Sequence, residues 1–521
     1  MSALQDVDWL ALGPPLIPAL TAVAVLLADL FLPPAHRAWL GRLAVAGLAL
    51  AALALLPLRA ADRATFCLAA DPALCSYRAD GFARTVQLIV LGGALLAALL
   101  ALPETRPARH PAPANGTPGT PTTAGTPAAG AAPEHLPAGE FWFLLLCSAC
   151  GAALLPAARD LATLLVALEV TTLPGYAMAG LRRTGAGPEA ALKFFLTSLT
   201  ATAVTLLGVG FVYAGAGSLH LSRLATRLPE ADPRLATLAE AGVVLTLAGF
   251  AVKTAAVPFH FWVPDTYVGA PLPVAGYLSV VGKTAGLAGL VLLTTGAFPD
   301  FGHLWGPVLA VLAAATMTAG NAAALRTSPA DPDGVIRLLA WSSVGQAGHL
   351  LVPLAAAAHT APGEALGTLL GYALMYAVAN LGAFALAAHL ARAHGSRRLA
   401  DHAGLYARQP AAALTLAFFL LCLAGLPPGV AGLFAKVAVL GSAMDAGYGP
   451  LAVVAALNMV LALAYYLRWT ALLFRPAPAA SPALPRPAAA PAAAAALCAL
   501  AAAAFSLAPQ LFLGQAPGPL W

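Results

Sequence analysis

Charged residues are scarce in this 521-residue chain, at only 9% of the sequence, whereas hydrophobic residues make up 60%. Soluble domains carry about 25% charged residues, so this chain has too little charge to cover a water-facing surface of its size. Apolar runs of about 18 residues or more recur along almost the whole sequence, and the short alternating segments of a membrane β-barrel are absent. We therefore predict an all-α polytopic membrane protein.

A cleavable leader, a basic surface and a metal pattern are also missing from the sequence. The opening residues, MSALQDVDWLALG, lack the basic segment of a signal peptide, so we expect the first apolar run to remain as a helix. The net charge of +5 is spread over loops and forms no basic stripe, which argues against a nucleic-acid partner. Cys147 and Cys150 lie in an apolar run without further ligands, so packing explains them better than a metal.

Fourteen apolar runs are candidate membrane spans, and two of them are interrupted. The seventh contains Pro258 and Pro264, and the twelfth contains GLPPGVAGLFAK at 425–436. Non-helical backbone at membrane depth is tolerated only inside protein or beside a wet cavity, and paired interrupted helices indicate internal repeats around a transport route. Because the breaks lie five spans apart, we predict a five-helix unit used twice, in spans 4–8 and 9–13.

The spans and the polar stretches between them divide the chain into five predicted segments. The low-complexity stretch after the third span is too polar to bury a core, so we expect a disordered cytoplasmic linker there. The segments are a three-helix segment at 1–102, a Pro/Thr/Ala/Gly-rich linker at 103–138, a first repeat at 139–300, a second repeat at 301–475, and a loop with a C-terminal helix at 476–521.

Arginine is distributed unequally between the two sets of loops. Loops that follow odd-numbered spans hold fifteen arginines and the opposite loops hold eight. Since basic loops stay in the cytoplasm, we predict that the first set is cytoplasmic and that both termini lie outside the cell membrane. Cys67 and Cys75 then lie in an external loop, where oxidation to a disulfide is plausible; in a reducing compartment they would be two thiols.

Lysine is rarer than arginine: the 27 basic residues comprise 23 arginines and four lysines. The arginines lie mostly in loops, whereas Lys193, Lys253, Lys283 and Lys436 all lie inside apolar spans. Arginine stays protonated in proteins, but a desolvated lysine can lose its proton. A charge at mid-bilayer costs about 2.5–3.5 kcal/mol, so these amines need partners or a wet cavity. This sorting favours a proton relay, with Glu169, the carboxylate well inside span 5, as the partner of one lysine.

Structural alternatives stay open for several of these residues. Static ion pairs that lock helices together would also use buried lysines and a buried carboxylate. Lys193 follows Glu189 by four residues near a span start, which fits a structural pair along one helix. His260 either relays protons or holds a turn, and we expect Asp265 to cap the helix that restarts after the break.

Five longer motifs lie within about residues 140–470. They are DLATLLVALEVTTLPGYAMAGLRR, EAALKFFLTSLTATAVTLLGVGFVYAGAGSL, AVKTAAVPFHFWVPDTYVGAPLPVAGYLSVVGK, GNAAALRTSPADPDGVIRLLAWSSVGQAGHLL and LAGLPPGVAGLFAKVAVL. In these motifs and their order the chain resembles the antiporter-like membrane subunits of complex I, the proton-pumping NADH:quinone oxidoreductase. The resemblance implies fourteen helices, two inverted five-helix repeats and broken helices 7 and 12. It also implies that Glu169 pairs with Lys253, and that Lys283 and Lys436 continue the relay.

Within this family the chain is most similar to the N type. The L and M types and the cation/proton antiporter subunits read like EAPTPVSALLH after helix 7, with glutamate at the position of Gly269 and histidine at that of Ser279. The stretch SSVGQAGHLL departs from the N pattern, because Gln346 stands where a histidine is common. Glutamine does not titrate, so a relay at this point depends on His349, one turn further along the same face.

The resemblance implies a proton-translocating membrane-arm subunit of respiratory complex I, which couples NADH:quinone electron transfer to proton export. It implies no cofactor in this chain, because FMN, iron–sulfur clusters, NADH and quinone belong to other subunits. The implied partners are the K, M, J, L, A and H membrane subunits, the peripheral arm through them, and the lipid bilayer. The alternatives are a subunit of a multisubunit Na⁺/H⁺ antiporter or of a membrane-bound hydrogenase, and a purely structural scaffold.

Overall fold

A computed structural model describes residues 7–69, 71–105, 136–182, 185–476 and 487–513, and it is almost entirely helical, as predicted. The cores of the predicted linker and of the predicted C-terminal loop lie outside the described residues. The helices in the described ranges are α1 Trp9–Phe31, α2 Ala38–Leu53, α3 Gly81–Ala101, α4 Ala138–Leu154, α5 Leu161–Ala179, α6 Ala186–Ala216, α7 Leu221–Arg227, α8 Ala236–Lys253, α9 Trp262–Gly269, α10 Leu272–Tyr277, α11 Lys283–Val291, α12 Gly302–Arg326, α13 Gly334–Ala356, α14 Pro362–His394, α15 Leu405–Arg408, α16 Pro410–Ala424, α17 Val430–Asp445, α18 Gly449–Leu473, α19 Ala489–Leu507 and α20 Gln510–Leu513.

Twelve helices within the described ranges are long and apolar enough to cross a membrane, which agrees with a multi-pass membrane protein. One of them, Leu272–Ala297, joins α10 and α11 through the π-helical turns Leu278–Gly282 and Leu292–Ala297. Fourteen spans and the two five-helix repeats stay predictions.

The polar loop between α2 and α3 forms a β-hairpin, an element that sequence analysis did not foresee. Its antiparallel strands are β1 Arg63–Leu68 and β2 Asp71–Ala79, and Cys67 pairs with Cys75 across them. The two cysteines are joined by a disulfide. The hairpin therefore brings together the thiols that the sequence left as a possible pair.

The core of the molecule runs along the continuous helix Leu272–Ala297 and α14, which are almost completely buried. Other helices surround them and turn apolar side chains outward. On α6, for example, Leu192, Leu196 and Leu199 are each more than half exposed. An exposed apolar face of this kind is suited to lipid or to another membrane subunit rather than to water.

Both predicted helix breaks occur in the structure. Helix α8 ends at Lys253 and α9 begins at Trp262, with Pro258 in the segment between them. Helix α16 ends at Ala424 and α17 begins at Val430. Gly425 adopts a φ of 81°, a left-handed conformation that suits glycine at the end of a helix. Each break frees backbone groups inside the protein, where side chains can bond to them.

Candidate functional site

Lys253 is the last residue of α8, at the first break, and its side chain is only 3% exposed. Its Nζ donates a hydrogen bond of 2.9 Å to the Tyr176 hydroxyl and lies 3.8 Å from Glu169 Oε1. Glu169 and Tyr176 are seven residues apart on α5, so they lie on one face of that helix, two turns apart. The structure thus brings the predicted pair together and adds a tyrosine that sequence analysis missed.

Glu169 is the more accessible half of this pair. Its side chain is 27% exposed, and its Oε1 accepts a hydrogen bond of 2.6 Å from the Thr202 hydroxyl on α6. The carboxylate therefore has a second partner besides the amine. Because its two neighbours lie on different helices, a small relative movement of α5, α6 and α8 changes how closely Glu169 approaches Lys253.

Lys283 is the first residue of α11. Its amine bonds to a serine on a neighbouring helix and not to a carboxylate. Its Nζ donates to the Ser343 carbonyl oxygen at 2.7 Å and to the Ser343 hydroxyl at 2.6 Å, both on α13. One turn further, a Cβ on Gly286 would come within 3.0 Å of the Lys253 Cβ. Glycine at that position therefore lets α11 approach the helix end that carries Lys253.

Lys436 lies in the second turn of α17, and the second break supplies its partner. Its Nζ donates a hydrogen bond of 2.6 Å to the carbonyl oxygen of Ala424, the last residue of α16. A Cβ on Gly425 would come within 3.0 Å of the Lys436 side chain. Among the described residues, neither Lys436 nor Lys283 forms an ion pair.

A buried cluster of hydroxyl and amide groups lies between these two lysines. Gln346 accepts a hydrogen bond of 2.5 Å from Tyr372 and donates one of 3.3 Å to Tyr466. Tyr466 also shares a hydrogen bond of 2.5 Å with Ser342, the residue next to the Ser343 that holds Lys283. Gln346 further contacts the Leu423 carbonyl at 3.5 Å, beside Ala424. Sequence analysis missed the tyrosines, whose one signal is their position inside apolar spans.

His349 lies on the same face of α13 as Gln346, as predicted. Its Nδ1 is 3.0 Å from the Gly345 carbonyl, and its ring stacks parallel to Tyr372 at 6.0 Å between centroids. Its buried Nε2 has no hydrogen-bond partner among the described residues. His260 lies in the first break, half-buried, with its ring 5.6 Å from that of Trp341 on α13. The two histidines therefore occupy different parts of the site.

Lys193 stands apart from the other lysines. Its side chain is 46% exposed, and its Nζ lies 2.8 Å from Glu189 and 2.7 Å from Asp265. The expectation that Asp265 caps α9 is wrong, because Asp265 lies inside the first turn and the N-cap, Phe261, has no side-chain hydrogen bond. Asp265 instead links α9 to α6 through Lys193.

A cavity of about 1090 Å³ opens where α3, α5, α9 and α14 end. Glu104 lies in it, 3.6 Å from Arg392, and burial raises the pKa of the Glu104 carboxyl. Leu272, the first residue of the helix that carries Lys283, also lines this cavity. Glu104 escaped sequence analysis because it directly follows a span and resembles an ordinary loop residue. In the described ranges no group of three or more His, Cys, Asp or Glu side chains could hold a metal ion.

Comparisons with known proteins agree with this architecture. The sequence profile of the NADH:quinone oxidoreductase/Mrp antiporter transmembrane family matches residues 158–462. NADH-quinone oxidoreductase subunit N 2 of Streptomyces griseus subsp. griseus is 59% identical over 482 residues, which cover 92% of this chain and 85% of that protein.

Solved structures extend the likeness to three dimensions. A chain of respiratory complex I from Thermus thermophilus with bound aureothin has a TM-score of 0.74 and 30% identity, covering 96% of this chain and 98% of that one. A chain of the Mrp complex from Dietzia sp. DQ12-45-1b has a TM-score of 0.80, with 98% and 96% coverage, but at 20% identity it shows the shared fold alone. The chain belongs to the NADH-quinone oxidoreductase subunit N family of antiporter-like membrane proteins.

Proposed function

We propose that this subunit of respiratory complex I moves protons through a relay formed by Glu169, Lys253, Lys283 and Lys436. Electron transfer from NADH to quinone, elsewhere in the complex, supplies the energy. The observation that carries the proposal is the burial of three amines, each 96–97% shielded and each placed at or beside a helix break or helix start. Titratable groups inside a membrane are costly and mark ion pathways.

The first step of the relay is control of Lys253 by Glu169. The negative charge of the Glu169 carboxylate lies 3.8 Å from the Lys253 amine and attracts its positive charge. When a conformational change elsewhere in the complex moves Glu169, together with its hydrogen-bond partner Thr202, away from the amine, that attraction weakens, and Lys253 releases its proton towards α11. Each lysine must alternate between charged and neutral forms, which arginine cannot do.

The second step is transfer from Lys283 to Lys436. Hydrogen bonds join Lys283 to Ser343, Ser342 to Tyr466, Tyr466 to Gln346, Gln346 to the Leu423 carbonyl, and Lys436 to the Ala424 carbonyl. Ser342 and Ser343, like Leu423 and Ala424, are neighbours in the chain, so these bonds bring polar groups close together between the two amines. Hydroxyl groups donate and accept hydrogen bonds and can orient transient water between the amines. The Gln346 amide orders this cluster, and His349 is the titratable group beside it.

The assembly around the chain follows from its relatives. We infer that the other membrane subunits of complex I (the K, M, J, L, A and H types) surround it in the cell membrane, and that FMN, iron–sulfur clusters, NADH and quinone are bound by other subunits. The 59% identity to a subunit N, against 20% to the Mrp chain, favours this assembly over an antiporter. The hydrogenase alternative predicts co-purification with hydrogen-evolving subunits instead.

The cytoplasmic position of the arginine-rich loops, and the external position of both termini, are part of the same proposal. They place the Cys67–Cys75 hairpin outside and the Glu104 cavity on the cytoplasmic side, where protons enter. Alkylation of intact cells without reductant, followed by mass spectrometry, checks this orientation. Two labelled free thiols would contradict it.

Lys283→Arg is the decisive test of the relay. The variant keeps a positive charge that can bond to Ser343, but its guanidinium stays charged at any workable pH. We expect the complex to assemble and to oxidise NADH with an artificial acceptor, while NADH-driven acidification of inverted vesicles falls about as far as in Lys283→Met. Near-normal pumping in Lys283→Arg would reject the relay and leave a structural role for the buried lysines.

A further inference from the structure

A small cavity of about 20 Å³ lies beside Lys253, between α5 and the helix that carries Lys283. Lys253 and Gly282, the residue before Lys283, both line it. A cavity needs about 10–15 Å³ of this kind of space to hold one water molecule, so this one accommodates a single water and no hydrated cation. Phe194 and Trp262, whose rings stack at 4.4 Å between centroids, form an apolar wall that limits its size.

The lining supplies polar groups with unused hydrogen-bonding capacity. The buried Thr172 hydroxyl has no hydrogen-bond partner among the described residues. Tyr277 donates its proton to the Ser148 hydroxyl at 2.8 Å, so its oxygen is free to accept a further bond. Lys253 has three N–H donors, of which Tyr176 accepts one. An unsatisfied buried polar group costs free energy, and an ordered water that finds two to four partners removes that cost.

We propose that this cavity is a binding site for one ordered water molecule, and that Thr172 and Tyr277 are its positioning residues. The water accepts a hydrogen bond from the Lys253 amine and donates to the two hydroxyl oxygens. Its place in proton transfer rests on the relay proposed above, whereas its presence does not. If the relay operates, the water is a group to which Lys253 can pass its proton.

The water site is tested directly in a high-resolution electron cryo-microscopy map of the detergent-purified complex. We expect a density peak within hydrogen-bond distance of Lys253, Thr172 and Tyr277. In Thr172→Val, which keeps the side-chain shape but removes the hydroxyl, the peak should disappear, and in Thr172→Ser it should return. A map that resolves other internal waters in this chain but leaves the wild-type cavity empty would overturn the proposal.

The role of the water is tested by pumping measurements on Thr172→Val and Tyr277→Phe. Losing one hydrogen bond to a positioned water should lower NADH-driven acidification about three- to tenfold, with NADH oxidation by an artificial acceptor unchanged and with recovery in Thr172→Ser. Thr246→Val is the matched control, because among the described residues its buried hydroxyl donates only to the Gly242 carbonyl in its own helix, α8.

The possible failures of these two proposals are distinguishable. If Lys283→Arg loses pumping while Tyr277→Phe and Thr172→Val pump normally, the relay stands and the positioning role falls. If Lys283→Arg pumps normally, the relay falls, and the density map still decides whether the cavity holds its water.

Discussion

The two helix breaks present their lysines to different kinds of partner. At the first break, Lys253 closes the helix before the gap and faces a carboxylate and a phenol, Glu169 and Tyr176. At the second break, Lys436 lies on the helix after the gap and bonds to the carbonyl of Ala424, a main-chain group. The chain therefore places a buried lysine at each of two helix breaks, but the partner of the amine is charged at the first break and uncharged at the second.

The carboxylate partner at the first break can move, whereas the carbonyl partner at the second break is fixed. A carboxylate carries a full charge and shifts with its helix, so its influence on the amine changes with conformation. A backbone carbonyl carries only a partial charge, and its position is set by the end of α16, so it holds the Lys436 amine in one place. In the proposed relay, the first break is therefore suited to controlling when a proton leaves, and the second to receiving a proton and passing it on.

Substituting arginine at both breaks is expected to have the largest effect. Lys436→Arg and Lys253→Arg should each reduce NADH-driven acidification of inverted vesicles about tenfold or more, because a guanidinium does not give up its proton. Lys253→Arg should be at least as damaging, since arginine can form a two-pronged bond with Glu169 that resists opening. Assembly, followed by native gel electrophoresis, should persist in both. Pumping at the wild-type level in either variant would remove that break from the relay.

Glu169→Gln tests whether the first break alone is controlled by a charge. The amide keeps the shape of the side chain and can still accept the Thr202 hydrogen bond, but the negative charge beside Lys253 is gone. We expect pumping to fall about three- to tenfold, less than for arginine at either break, because the amine itself can still titrate. Thr202→Val is the control: it removes a hydrogen bond to Glu169 but leaves the charge, so its effect should be smaller. An equal loss in both variants would mean that geometry, and not charge, matters at this break.

Much of the site could be predicted from the sequence because membrane burial makes polar residues conspicuous. Four lysines among apolar runs, one carboxylate in span 5 and two Pro/Gly clusters were sufficient to locate Glu169, Lys253, Lys283, Lys436 and both breaks. A rare charge in an apolar background carries information that the same charge in a soluble domain would not.

The partners of these lysines could not be predicted in the same way. The Ala424 carbonyl has no signature in the sequence, since every residue has one, and its availability depends on where α16 ends. Ser343 and Tyr176 meet their lysines through hydrogen bonds that cross between helices, from α11 to α13 and from α8 to α5, and the sequence does not reveal which helices the fold brings within reach. The same reasoning explains the wrong expectation for Asp265: a one-turn difference in where α9 starts turns a cap into an ion-pair partner.

Gln346 and His349 lie in the polar cluster beside the second break, and substituting each tests how that cluster works. Gln346→Leu leaves the Tyr372 and Tyr466 hydroxyls without their amide partner, and an unsatisfied buried group costs about 1–3 kcal/mol. We expect lower thermal stability of the complex and a loss of pumping of a few-fold. His349→Phe keeps a ring that can stack on Tyr372 and removes the titratable nitrogens, together with the contact of Nδ1 to the Gly345 carbonyl in the same helix. If pumping falls further in His349→Phe than in Gln346→Leu, the imidazole is part of the relay; if only Gln346→Leu is impaired, the cluster works by ordering hydroxyl groups.

The smallest effect is expected at Lys193, which tests whether a nearby carboxylate is enough to make a relay lysine. Lys193 has two carboxylates within 2.8 Å, more than Lys253 has, yet its side chain is half exposed and it bridges α6 to α9. Exposed ion pairs contribute little, so Lys193→Met should keep pumping within about twofold of wild type, and Lys193→Arg should be closer still because it preserves the bridge. Arginine at Lys253 has the opposite expected outcome, which makes the two substitutions a matched pair in one assay. A large loss of pumping in Lys193→Arg would show that Lys193 must also be able to lose a proton, although it is not buried at a helix break.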